Sequence, residues 1–236
     1  MPPSESTPRK PAEGSLSNEV QHSWDVSPRE AIAIQKKLAG LVIRENRINH
    51  VSRIAGVDVG VKEGMARAAV AVLSLPALRL IEYARAELKI TFPYIPGLLS
   101  FREGPVIISA FGKLKVRPDM IIFDGQGIAH PRRLGIASHI GLLLDVPAIG
   151  CAKSRLCGRH EEPGFEKGDF SLLKDNNETI GAVVRTRRNV RPVFVSTGYK
   201  VDLPTSLEFV LKSCTRFRLP ETTRSAHRLA GLDNPV

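Results

Sequence analysis

Two acids in this sequence stand where carboxylates are expensive, and a third is expected at a helix entrance. Asp58 lies inside the apolar run IAGVDVGV, Asp124 closes the apolar run MIIF, and Glu103 sits in SFREGP. An acid in or at the end of an apolar strand carries a desolvation cost unless something offsets its charge, and a divalent cation is a common agent. Three carboxylates drawn together from three elements would hold Mg²⁺ through hard oxygen ligands, leaving positions for water and phosphate. Plainer readings stand beside this: Asp58 as a turn former, Asp124 as an Asx turn before Gly125, Glu103 as the end of a capping box with Ser100. His130 follows Asp124 closely and precedes Pro131, Arg132 and Arg133, which sets a proton carrier and two phosphate-binding cations beside the acids. Lys153, directly after the apolar run AIGCA, could stabilise charge developing on a phosphate.

The charge balance favours such a substrate. The 236 residues hold 34 Lys and Arg against 24 Asp and Glu, a net charge of +10 with a pI near 9.9. Residues 1–25 are net acidic, so the excess lies in the remainder and suits a polyanionic partner, nucleic acid first. Cys151, Cys157 and Cys214 form no CxxC pair and read as reduced, small core residues. There is no apolar run of membrane-spanning length and no apolar N-terminal stretch, so a cytoplasmic protein without membrane association is expected.

The elements that must position these groups read as follows. Residues 1–25, rich in Pro, Ser, Glu and Lys, are expected to form a disordered tail before a single domain over 26–236. Ser27, Pro28 and Glu30 make a capping box that opens a helix of about 20 residues, with Ala31, Ile34, Leu38, Leu41 and Ile48 on one stripe. Residues 53–61, 65–75 and 78–88 predict a three-strand meander with a turn at Pro76 and Ala77. FPYIPG predicts an ordered loop, and Pro105 the start of a second helix ending before Pro118. From 119 to 152, apolar strand, polar loop, helix (134–144) and strand predict a right-handed crossover between parallel strands. Residues 178–186 and 192–198 are two further strand candidates, and 203–214 a last helix. The class is α/β: a mixed sheet of antiparallel meander plus parallel strands, flanked by helices.

Taken together, IAGVDVG around Asp58, PYIPGLLSFRE from Pro93 to Glu103, DGQGIAHPRRLGIASHIG from Asp124 and KSRLCG from Lys153 strongly resemble the endonuclease V family of deoxyinosine-directed nucleases. The resemblance runs from about Ser27 to about His227. It implies an RNase H-like fold and Mg²⁺-dependent hydrolysis, with Mn²⁺ able to substitute, of the second phosphodiester bond 3′ to a hypoxanthine nucleotide, leaving 3′-hydroxyl and 5′-phosphate ends in the course of DNA repair. It assigns Asp58, Glu103 and Asp124 to the metal, His130 and Lys153 to the attacking water and scissile phosphate, and His227 to a metal-proximal place. Pro93, Tyr94, Ile95 and Pro96 resemble a wedge that fills the space left by an extruded base, and an aromatic braced by two prolines is a stiff stacking surface. Gly97, Leu99, Gly125, Gly127, Ile136 and Leu156 resemble the lining of the base pocket. The implied partner is inosine-containing DNA, double- or single-stranded, bound by a monomer. Inosine in RNA stays open as an alternative substrate, as does the activity of another RNase H-like nuclease such as a hybrid ribonuclease or junction resolvase. One departure is visible: Gln126 stands at the third position of DGxG, where the family often has His.

Overall fold

In the computed structural model, residues 20–231 are described. The first 19 residues of the expected tail lie outside that range. Its last six do not behave as a tail: Val20 is buried, and His22 and Trp24 pack onto the domain. An eight-stranded sheet runs through the molecule in the order β3-β2-β1-β4-β5-β8-β7-β6. The strands are β1 (Arg53–Lys62), β2 (Met65–Ser74), β3 (Leu80–Lys89), β4 (Met120–Phe123), β5 (Ala148–Ala152), β6 (Phe170–Asp175), β7 (Glu178–Val184) and β8 (Val193–Tyr199). The β1–β4 and β4–β5 pairs are parallel and the others antiparallel, so the expected meander and crossover both form. The helices are α1 (Pro28–Ala39), α2 (Leu99–Phe111), α3 (Ile136–Leu144), α4 (Leu203–Ser213) and α5 (Glu221–Ala230).

Strands β4 and β5 are buried at every position, as parallel strands covered on both faces must be. On one face Val57, Ile121 and Phe123 pack with Val106, Ile107 and Ala110 of α2 and Ile140 of α3. On the other, Ile54, Ile122 and Ile149 pack with Val210 of α4 and Ala226 of α5. The carboxyl ends of β1 and β4 therefore open between helices lying on opposite faces.

Several boundaries differ from the sequence reading. Helix α1 has the expected capping box, Ser27 and Glu30 bonding each other's backbone, but stops at Gly40 instead of running on through Ile48. Helix α2 starts at Leu99, six residues before Pro105, which lies inside it. An interior proline costs a helix about 3 kcal/mol. The turn preceding it is held by burial: Leu98 and Phe101 join Phe92 and Ala31 in a cluster capped by Trp24. Glu103 thus rides within a helix, not at its entrance. Helix α3 begins at Ile136, two residues later than expected. Strand β6 and helix α5 escaped the sequence reading, because β6 is a mostly exposed edge strand and α5 has a low mean hydropathy.

The 20–25 segment ties α2 to α3. Trp24 lies against Gly104, where a Cβ would come within 2.5 Å of the indole. His22 Nε2 meets His139 Nε2 at 2.8 Å, and His139 Nδ1 meets Ser100 Oγ at 2.8 Å. Burial, together with the neighbouring His22 and His130, pushes His139 down to about 3. A histidine depressed in this way is neutral when folded but protonates freely when unfolded, so its contribution is intact above pH 6.5 and drains away as pH falls toward 3. The slope is up to about 1.4 kcal/mol per pH unit. His139→Gln is expected to unfold more easily in urea at pH 7 and to lose less stability than the parent between pH 6.5 and 4.5. Equal losses would remove His139 as the source.

Candidate active site

The register of the parallel pair assembles the first two acids. Val57 lies opposite Phe123, so the next residues, Asp58 and Asp124, emerge side by side where β4 ends. Helix α2 brings Glu103 over one side. Helix α5 brings His227 over the other, and it can approach because β1 has a glycine beneath it: a Cβ on Gly56 would stand 2.1 Å from the Thr222 carbonyl carbon. Asp58, Glu103, Asp124, Lys153 and His227 line one cavity of about 350 Å³ with Leu99, Ile107, Phe123 and Ile136.

The electrostatics of this cavity are strained. Burial, reinforced by the charges of Asp58 and Asp124 and only partly relieved by Arg102, pushes Glu103 up to about 8. Asp124 Oδ2 is paired with Lys153 Nζ, and Asp58 Oδ2 meets His227 Nδ1 at 3.0 Å. With side chains so engaged, no three Asp, Glu, His or Cys residues among those described stand at the spacing of a preformed metal centre. The donor set nonetheless suits a hard divalent cation: three carboxylates converge on one cavity, and added positive charge would favour ionisation of the one whose pKa is raised.

A second cavity of about 320 Å³ adjoins the first and shares Leu99, Asp124, Ile136 and Lys153 with it. Tyr94, Ile95, Pro96, Gly97, Gly125, Gln126, His130 and Leu156 complete much of its wall. Tyr94 is 69% exposed at its rim, and Pro93 is an exposed neighbour in the same loop. The loop is fixed through one atom. Gly97, at φ +80, a conformation glycine adopts without strain, turns its carbonyl to accept bonds from His130 Nε2 (2.9 Å), Arg132 Nη2 (2.8 Å) and Gln35 Nε2 (3.0 Å).

This arrangement changes four expectations. His130 is 2% exposed and lines the second cavity, not the acid one. Its Nε2–H donates to Gly97 and its Nδ1 accepts from Arg132 N, while burial pushes it down to about 4, so it acts here as a neutral brace for the loop. Arg132 is spent on Gly97 and Gln35. Arg133 is committed to Glu178 at 2.7 Å, Asp175 at 2.9 Å and the His130 carbonyl, pinning the loop to the β6–β7 hairpin. Neither guanidinium is free for phosphate in this state. Gly127 packs against the Thr197 backbone, and its N–H donates to Ser196 Oγ, so it supports the second cavity from behind. Gln35 is the residue the sequence reading missed. It sits on the α1 stripe between Ala31 and Leu38, and a buried amide at an apolar position was the available signal.

A mixed sheet with one carboxylate midway along its first strand and another just after its fourth, an acid and a histidine from covering helices, and a lysine after the fifth strand defines an RNase H-like nuclease. The endonuclease V family model matches residues 36–228. The endonuclease V of Rippkaea orientalis is 53% identical over 206 residues, spanning 86% of this chain and 90% of that protein. The crystal structure of the Streptomyces avermitilis endonuclease V superposes with a TM-score of 0.83 at 39% identity, covering 88% of this chain and 92% of that one. Ciona intestinalis endonuclease V, in complex with a 24mer DNA containing an inosine followed by a ribo-adenosine, matches with a TM-score of 0.74 at 26% identity, over 86% and 95% of the two chains. The chain belongs to the endonuclease V family.

The close approach at Gly56 can be checked directly. Gly56→Ala is expected to cost about 1–3 kcal/mol through overpacking against α5 and to displace His227, whereas Gly60→Ala, with nothing within 4 Å of its Cβ, should leave urea stability unchanged. Equal midpoints for both variants would show that α5 is not held by this contact.

Proposed function

We propose that this protein is a Mg²⁺-dependent endonuclease that takes hypoxanthine from DNA into the second cavity and hydrolyses the second phosphodiester bond 3′ to it, leaving 3′-hydroxyl and 5′-phosphate ends. The observation that carries this reading is the shared wall: a base-sized cavity and an acid-lined cavity meet at Leu99, Asp124, Ile136 and Lys153. A nucleotide seated in one presents its downstream backbone to the other. The DNA complex of the Ciona relative supports inosine-containing DNA as the partner. Basic character in the chain supports attraction to the phosphate backbone.

Asp58, Glu103 and Asp124 would hold Mg²⁺, with His227 beside Asp58, and Mn²⁺ would serve in its place. When bound, the cation polarises the phosphate and lowers the pKa of water. Lys153, at the mouth of both cavities, turns from Asp124 toward the negative charge that grows on the phosphate. Tyr94, braced by Pro93 and Pro96, occupies the gap left in the duplex by the extruded base. Extrusion costs a few kcal/mol and costs less for a mispaired hypoxanthine, which favours the damaged site. His130 keeps the wedge loop in place through Gly97, so its contribution is to positioning.

An oligonucleotide duplex with one inosine should be nicked in Mg²⁺ at the second linkage 3′ to it. Asp124→Asn should lower the rate by at least a thousandfold while inosine-strand binding persists in EDTA. Cutting at unmodified DNA with equal efficiency, or full activity in Asp124→Asn, would overturn the assignment. Tyr94→Ala should weaken binding to inosine duplex more than to the single strand, by about tenfold given the worth of one base–aromatic stack. Equal losses on both would exclude a wedge. Matched RNA strands run beside the DNA decide the sugar preference.

A further inference from the structure

Strand β5 pairs with β8 only as far as Ala152, opposite Phe194. The next residue is Lys153, whose side chain lines both cavities and reaches Asp124. Pro192 stands just before β8 and has no N–H with which to carry the ladder further. Arg218 closes this open end: its Nη2 donates to the Lys153 carbonyl at 2.8 Å and to the Pro192 carbonyl at 2.8 Å. Arg218 lies between α4 and α5, and its own carbonyl accepts from Thr186 Oγ1 at 2.7 Å. Among the described residues no carboxylate forms an ion pair with Arg218, and its Nε is buried without a partner. The hydrogen bonds that orient the guanidinium are therefore those to the two carbonyls.

We propose that Arg218 is a positioning residue for hydrolysis: by clamping the Lys153 carbonyl it fixes the backbone from which that lysine swings between Asp124 and the scissile phosphate. The inference rests on the role given above to Lys153. A lysine side chain is a flexible stem with about 2 kcal/mol of rotamer entropy, so its reach is only as well defined as the main chain that carries it. Drift at that root moves the ammonium off the phosphate, and a displacement of about 1 Å can cost a hundredfold in rate. Strand pairing cannot supply the restraint, because the ladder ends one residue earlier.

Two further observations suit the guanidinium to this place. Burial and the neighbouring Arg191 weaken its hold on its proton, while the charges of Cys151 and Asp124 act the other way, so Asp124 lies within electrostatic reach. Positive charge thus remains near Asp124 when Lys153 turns toward the phosphate. Arg218 also leads into α5, the helix that carries His227. The groups that meet Asp124 and Asp58 are in this way tied to one segment, Lys153 through a hydrogen bond and His227 through the chain.

The test is a double-mutant cycle on parent, Arg218→Gln, Lys153→Met and the double variant. Each is run with enzyme in excess over an inosine duplex in Mg²⁺, reading the single-turnover rate, with inosine-strand affinity in EDTA and thermal melts alongside. Arg218→Gln should slow the parent about 10- to 100-fold while affinity changes by no more than about twofold. In the Lys153→Met background the same change should cost only about twofold, the limit expected when the group it acts through is already gone. Equal losses in both backgrounds, or an affinity loss as large as the rate loss, would assign Arg218 a general packing role and overturn the inference while leaving the proposed activity standing. Should the melts show Arg218→Gln unfolded, Arg218→Lys is put through the same cycle and judged by the same coupling. A parent that cuts no inosine substrate would remove the proposed function and this inference with it.

Discussion

The mutual repulsion of three carboxylates in one cavity is the constraint that organises this molecule. Parallel pairing of β1 with β4 leaves Asp58 and Asp124 no choice but to lie side by side, and α2 adds Glu103 above them. Burial and its neighbours' charges hold Glu103 near 8. The protein answers part of that charge with Lys153 on Asp124 and His227 on Asp58. Both partners lie at exposed chain positions: Lys153 follows a strand end, and the His227 side chain is 75% exposed on a short helix. A divalent cation entering the cavity would displace them and satisfy all three acids together. A site this unfavourable when empty gains correspondingly on loading.

The loop that carries Tyr94 has few backbone partners of its own, yet Gly97 O collects three donors from α1 and the loop after β4. His130 and Arg132 serve that one carbonyl, and Arg133 extends the tie to the edge hairpin. A stacking wedge is useful only if it does not fold away under load, and converging bonds to one atom hold it more firmly than the same bonds spread along a loop. Half-buried guanidiniums such as those of Arg132 and Arg133 supply several directed donors at once.

The strongly patterned elements were legible in the sequence. Apolar runs gave β1, β4 and β5, and the Ser27 capping box gave the start of α1. Asp58 and Asp124 stood out because each broke an apolar pattern, a signal that Glu103, in SFREGP, does not carry. Elements stabilised by tertiary burial were not legible. Pro105 looked like a helix start because proline favours the first turn, whereas packing of Phe101 and Trp24 carried α2 back to Leu99. Helix α5 has a polar composition and depends on Gly56 to dock, a relation that local periodicity cannot express. The hydrogen-bond partners of His130, Arg132 and Arg133 were not legible for a related reason: they are drawn from distant segments, which residue type and neighbourhood do not specify.

On the proposed assignment, recognition and hydrolysis share material in this fold, and that sharing would have an energetic consequence. Asp124 and Lys153 face both cavities, Leu99 and Ile136 form the partition, and Gly125 admits Ile136 close to the backbone at the end of β4. A base that fails to seat leaves the downstream phosphate displaced from the acids, and misplacement by about 1 Å can cost a hundredfold in rate. Selection at the base then needs no separate checkpoint. On that assignment, the difference in seating between a damaged and an ordinary purine would be transmitted through the wall that both cavities share, and binding energy spent on the base would appear as geometry at the bond to be broken.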